Sequence, residues 1–144
     1  MKNKYEQNIK LDKINSLTLI TSESCNLRCK YCEISKSINP ETHALITKKI
    51  KESFINGEFL KNIKSIFKEY QINKEKIESV EFWGQEPTLT LDAVEEFFPE
   101  FYKLIPNCNR LFFSTNGVAY PEKIISFIKM LDRTIINKKF EIRI

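Results

Sequence analysis

Hydrophobic positions along the chain switch repeatedly between a period of two and a period near 3.6. Ser16 to Ser22 (SLTLITS) is short and β-branched, which predicts a strand. It runs directly into a polar, cysteine-rich stretch, Glu23 to Glu33 (ESCNLRCKYCE), which reads as a loop. Asn39 followed by Pro40 then predicts a helix start, with Ile46, Ile50 and Phe54 recurring every four residues up to Gly57. Beyond Gly57, the residues Phe59, Leu60, Ile63, Ile66, Phe67 and Tyr70 trace one face of a second helix whose other face carries lysines. Ser79 to Trp83 (SVEFW) predicts a second strand, in which Phe82 and Trp83 read as core residues, and Gly84 and Pro87 mark a turn after it. The next helix takes its apolar residues from Leu91 to Ile105, and Pro99 should kink or divide it. Arg110 to Thr115 predicts a third strand, Pro121 to Leu131 another helix, and Phe140 to Ile144 a fourth strand.

Counting the first helical pair as one crossover, strands and helices alternate through four strands. That order argues for right-handed βαβ units around a parallel sheet, an α/β fold. In such folds ligands gather at the carboxyl ends of the strands. Three strands here end in distinctive sequences: SESCNLRCKYC, GQEPT and TNG. With 144 residues the chain has the length of one domain. It shows no internal repeat or linker composition, so residues 16–144 read as the core domain and 1–15 as an N-terminal extension.

Composition adds exclusions. Hydrophobic residues make up 42% and charged residues 29%, enough for a buried core. A net charge of +4, scattered along the chain, is too mild to imply a nucleic acid or membrane partner, and lysines such as Lys48, Lys49, Lys61, Lys64 and Lys68 read as the wet faces of helices. No apolar run is long enough for a membrane span and the first ten residues have no signal-peptide core, so the expected location is cytoplasmic. In a reducing compartment, Cys25, Cys29 and Cys32 clustered in eight residues favour metal or redox chemistry over disulfides.

The spacing C-x3-C-x2-C brings three thiolates together in one loop. A cubane iron-sulfur cluster uses four cysteines when closed, so three leave one iron open to a small molecule. The alternative is a structural zinc site with Cys108 or His43 as fourth ligand. Cys108 sits in a loop before the third strand, at the opposite end of the sheet from the other cysteines, and reads as a bystander. His43, near a helix start, reads as solvated or capping.

CNLRCKYC, with Tyr31 just before the third cysteine, resembles the cluster motif of the radical S-adenosylmethionine (radical SAM) superfamily. Gly84 to Pro87 (GQEP) resembles that family's GGEP motif, and Thr115 to Gly117 (TNG) resembles the ending of its third strand, in the family's order. The resemblance implies a partial parallel (β/α) barrel, here about three βα units plus a fourth strand. It implies a [4Fe-4S] cluster on Cys25, Cys29 and Cys32, whose open iron chelates S-adenosylmethionine for reductive cleavage to methionine and a 5'-deoxyadenosyl radical that abstracts hydrogen from a substrate. It further implies that Gly84, Gln85, Glu86 and Pro87 meet the methionine amino group through backbone carbonyls and the Glu86 carboxylate. The main chain beside Tyr31 would meet the adenine, and Asn116 would join the cofactor site.

An electron donor such as a flavodoxin or ferredoxin is implied as partner. The motif combination is similar to that of members acting on peptides or proteins. The chain departs from the pattern at Gln85, where the family usually has a second glycine. It is also shorter than the family core, whose later strands supply ribose and adenine contacts. A shortened form, or a barrel completed by another chain or a self-dimer, follows from that. The alternative function is a non-catalytic iron-sulfur or zinc-binding module that needs a partner chain.

Overall fold

Four parallel strands make one sheet: β1 (Ser16–Ser22), β2 (Ser79–Gly84), β3 (Arg110–Ser114) and β4 (Lys139–Arg143), paired in the order β1-β2-β3-β4. The structure is a computed structural model that describes residues 13–37, 39–118, 120–134 and 139–143. The expected extension therefore lies outside the described residues as far as residue 12. Strand order that follows chain order means that every crossover steps the same way, as in the wall of a (β/α) barrel; a doubly wound sheet would reverse direction.

The helices fill the crossovers. A four-residue α1 (Ile34–Ser37), then α2 (Pro40–Ile55) and α3 (Glu58–Glu69), join β1 to β2; α4 (Leu91–Tyr102) joins β2 to β3, and α5 (Pro121–Thr134) joins β3 to β4. α1 carries too few residues for a hydrophobic period to announce it. Asn39 caps α2, its side chain accepting from the Glu41 amide at 2.8 Å. α4 is continuous through Pro99 rather than divided. Phe97, Phe98 and Phe101 on both sides of the proline are all buried, so tertiary packing holds the two turns in line despite the missing amide hydrogen.

Two sequence expectations about facing are corrected. The buried stripe of α2 is His43, Thr47 and Phe54, while Ile46 is exposed, so the helix is rotated to place two polar residues against the loop after β1 and the turn after β2. Trp83, expected in the core, is 43% exposed. Side chains alternate across a strand, so Val80 and Phe82 point into the helix layer and Trp83 must point the other way. Leu19, Leu111 and Phe113 also face the helices, whereas Ile20 lies exposed on the opposite, inner face beside Trp83, its register partner.

The core is largely aromatic. Phe98 is fully buried, with ring centroids 5.5 Å from Phe82 and 6.2 Å from Phe127, and thereby joins α4 to β2 and α5. Phe54 stacks on Phe97 at 4.7 Å and joins α2 to α4. At the outer start of α4, Asp92 accepts from Lys51 of α2 at 2.9 Å and Lys123 of α5 at 3.5 Å. Burial alone would raise the Asp92 carboxyl, but the Lys51 hydrogen bond and the two ammonium charges outweigh it and hold the group below its usual value.

Phe98→Ala should cost about 3 to 5 kcal/mol, read as a lower midpoint in denaturant unfolding. Asp92→Asn should cost no more than about 1 kcal/mol, because the carboxylate is half exposed and water screens the pair. A lowered pKa stabilises the fold above the unfolded-state value, so the difference from the parent should be full near neutral pH. It should disappear as the pH falls through the Asp92 pKa of the folded protein.

Candidate metal and cofactor site

Past Ile20 the register of β1 against β2 shifts: Ile20 pairs with Trp83 but Ser22 pairs with Gly84, leaving Thr21 as an extra residue. Its hydroxyl donates to the Trp83 carbonyl at 3.2 Å. This bulge brings the backbones together at Gly84, whose φ is +150°, and a Cβ there would lie 2.2 Å from the Ser22 carbonyl oxygen. The first glycine of GQEP is thus required by a close approach. The second position has no such demand: among the described residues positive φ outside glycine occurs only at Gln71 and Tyr120, so Gln85 fits without strain.

From there the turn grips the exit of β1. The Gln85 amide donates to the Ser22 carbonyl at 3.1 Å, the Glu86 amide to the Ser24 carbonyl at 3.0 Å, and the Gln85 side chain to the Glu23 carbonyl at 2.5 Å. Three successive carbonyls just before Cys25 are therefore held by two residues of GQEP. Thr47 of α2 completes the grip, accepting from the Glu23 amide at 3.0 Å and donating to the Ser24 hydroxyl at 2.9 Å.

Glu86 is fully buried, and its carboxylate is engaged inside the protein. One oxygen accepts from the Thr88 amide at 3.0 Å, the Thr88 hydroxyl at 2.6 Å and the Thr115 hydroxyl at 2.7 Å. The other accepts from the Asn116 amide at 2.8 Å. A buried charge is tolerable because four donors replace water. Glu86 therefore ties the second motif to the third. Pro87 is buried at the start of a short 3-10 turn, Pro87–Thr90, and leads into α4.

Asn116 extends the chain of contacts to the cysteine loop. Its side-chain oxygen accepts from the Val118 amide at 3.0 Å, which orients the amide so that Nδ2 donates to Asn26 Oδ1 at 2.9 Å and to the Cys25 sulfur at 3.7 Å. The Leu27 amide also donates to that sulfur, at 3.4 Å. Cys25, Cys29 and Cys32 are half-buried and form no disulfide, and the Cys32 amide closes a turn on the Cys29 carbonyl at 3.0 Å.

Three thiols in one loop, one of them already receiving two hydrogen bonds, are of the ligand type that an iron-sulfur site uses. The convergence expected from spacing is not reached: among the described residues no three His, Cys, Asp or Glu side chains lie close enough to hold one ion. Tyr31 is 86% exposed. A hydrogen bond with Cys29 and the charges of Cys29 and Cys32 raise its phenol above the usual value.

Sequence reasoning missed Thr47, and it weighed His43 only as a zinc ligand or a solvated or capping residue. His43 is only 5% exposed, where a solvated or capping role was expected, and its Nδ1 faces the Gln85 side chain at 2.9 Å. The available signal was their spacing of four on α2, which places both on one face. Cys108 is fully buried just before β3, at the far end of the sheet from the cysteine loop, which removes it as a fourth ligand.

No helix among the described residues is long and apolar enough to cross a membrane. Neither a curated protein nor a solved structure matches the chain. The family model of the radical SAM superfamily matches residues 19–137, which takes in the cysteine loop, the GQEP turn and the TNG ending. With that match spanning most of its length, and the three motifs joined at one end of an open parallel sheet, the chain belongs to the radical SAM superfamily.

Proposed function

We propose that the chain binds a [4Fe-4S] cluster through Cys25, Cys29 and Cys32 and holds S-adenosylmethionine against it for reductive cleavage. The superfamily carries out this chemistry in general. The observation that carries the reading for this chain is the grip of GQEP on the three carbonyls that lead into Cys25. When bound and reduced, the cluster supplies the electron that splits the carbon-sulfur bond of S-adenosylmethionine, giving methionine and a 5'-deoxyadenosyl radical that takes hydrogen from a substrate.

Each residue then has a task in binding or orientation. The main chain of Gly84 and Gln85 offers carbonyls to the methionine amino group. Glu86, buried and taken up by four protein donors, serves that group by fixing the turn. Asn116 and the Leu27 amide stabilise negative charge on the Cys25 sulfur. The main chain beside Tyr31 borders the adenine. A flavodoxin or ferredoxin is the class of electron donor, and a peptide or protein the substrate class, in a cytoplasmic setting. The exposure of Ile20 and Trp83 on the inner face favours a second reading in which further strands close the barrel before substrate is turned over.

Anaerobic reconstitution should give about four irons per chain and a reduced electron paramagnetic resonance signal that shifts on adding S-adenosylmethionine. Cys29→Ala should lose the iron; full iron in that variant, or one zinc in the parent, would refute the assignment. Asn116→Ala should keep iron but lower the reduction potential, by up to about 59 mV, which is tenfold for a one-electron couple. An unchanged potential would show that the Asn116 hydrogen bond does not reach the cluster.

A further inference from the structure

The second glycine of the family motif is replaced here by a residue that does more than fill space. A carbonyl can only accept, so the contact of Gln85 with the Glu23 carbonyl, at 2.5 Å, must come from the amide nitrogen. The same nitrogen lies 2.9 Å from His43 Nδ1, and its second hydrogen is the one available for that contact. His43 Nδ1 is therefore the acceptor, and the neutral imidazole carries its proton on Nε2. That Nε2 is buried with no partner among the described residues.

Burying an unsatisfied donor costs free energy, so something must hold the ring in place against that cost. The compensation is the contact with Gln85. Thr47, one turn further along α2, takes the Glu23 amide while Gln85 takes the Glu23 carbonyl, so both sides of that residue are bound. Gln85 and His43 also line a cavity of about 60 Å³ together with Ser24, Cys25 and Arg28, which puts the pair beside the first cysteine.

We propose that Gln85 and His43 form a clasp that holds the GQEP turn in its binding conformation before S-adenosylmethionine arrives, with Gln85 as a positioning residue. The role in binding rests on the functional reading above; the clasp itself rests only on the geometry. A glycine at this position leaves the turn to be ordered on binding, and ordering costs affinity. The clasp removes that cost by joining the turn, the exit of β1 and α2 before the ligand is present.

The chain has a single histidine, so nitrogen-15 histidine labelling gives one imidazole to observe. Long-range proton-nitrogen spectra of the full chain, before and after reconstitution, should show the Nε2-protonated tautomer at neutral pH. Gln85→Gly, which installs the family's usual residue, should lose that single-tautomer pattern, keep its iron, and bind S-adenosylmethionine roughly tenfold more weakly by equilibrium dialysis. Gln85→Glu keeps the size of the side chain, removes the donors, and should weaken binding at least as much.

An Nδ1-protonated or cationic histidine in the parent would overturn the clasp. The expected tautomer with equal affinity in parent and Gln85→Gly would overturn its positioning role. An iron-loaded parent with the expected tautomer but no affinity for S-adenosylmethionine would overturn the functional reading, and the role in binding with it.

Discussion

Glu23 is bound on both sides, its amide by Thr47 and its carbonyl by Gln85, and the arrangement of the cysteine loop depends on that grip. A loop of this kind has little apolar surface to bury, so packing cannot fix where it starts. Hydrogen bonds to backbone groups do so instead, and they come from the two elements that flank β1, the GQEP turn and α2. Gly84 makes the first contact sterically possible, because any side chain there would collide with the Ser22 carbonyl.

The buried Glu86 carboxylate performs the equivalent task between β2 and β3. Its donors come from both the turn after β2 and the end of β3, so a change at either end leaves a buried charge short of partners. Through the Asn116 side chain the connection continues to Cys25. The three motifs are thereby one hydrogen-bonded unit. Around this unit the aromatic core supplies stability without taking part in the chemistry, since Phe54, Phe97, Phe98 and Phe127 lie in the helix layer behind the sheet.

Much of the fold was legible in the chain. The strand SLTLITS, the Asn39-Pro40 helix start and the order of elements rest on local preferences and hydrophobic period, and these survive folding. Errors arose where a tertiary contact decides which way a side chain faces. Trp83 looked like core because it is large and apolar, but the helices pack on the face that carries Phe82, and alternation leaves Trp83 on the other. Ile46 looked buried for the same reason, but the hydrogen bonds of His43 to Gln85 and of Thr47 to Glu23 and Ser24 set which face of α2 turns inward.

For this protein the sequence by itself determined the α/β order, the three thiols of the cysteine loop and the family, because each is written in residue type and local spacing. Only the tertiary structure decided that Glu86 is a buried tie between motifs and that Gln85 tolerates the place of a glycine. It also decided that His43 faces inward. Those properties depend on hydrogen-bond partners 29 to 62 residues away along the chain, such as Thr115 for Glu86 and Glu23 for Gln85, and no local pattern specifies which donor will meet which acceptor.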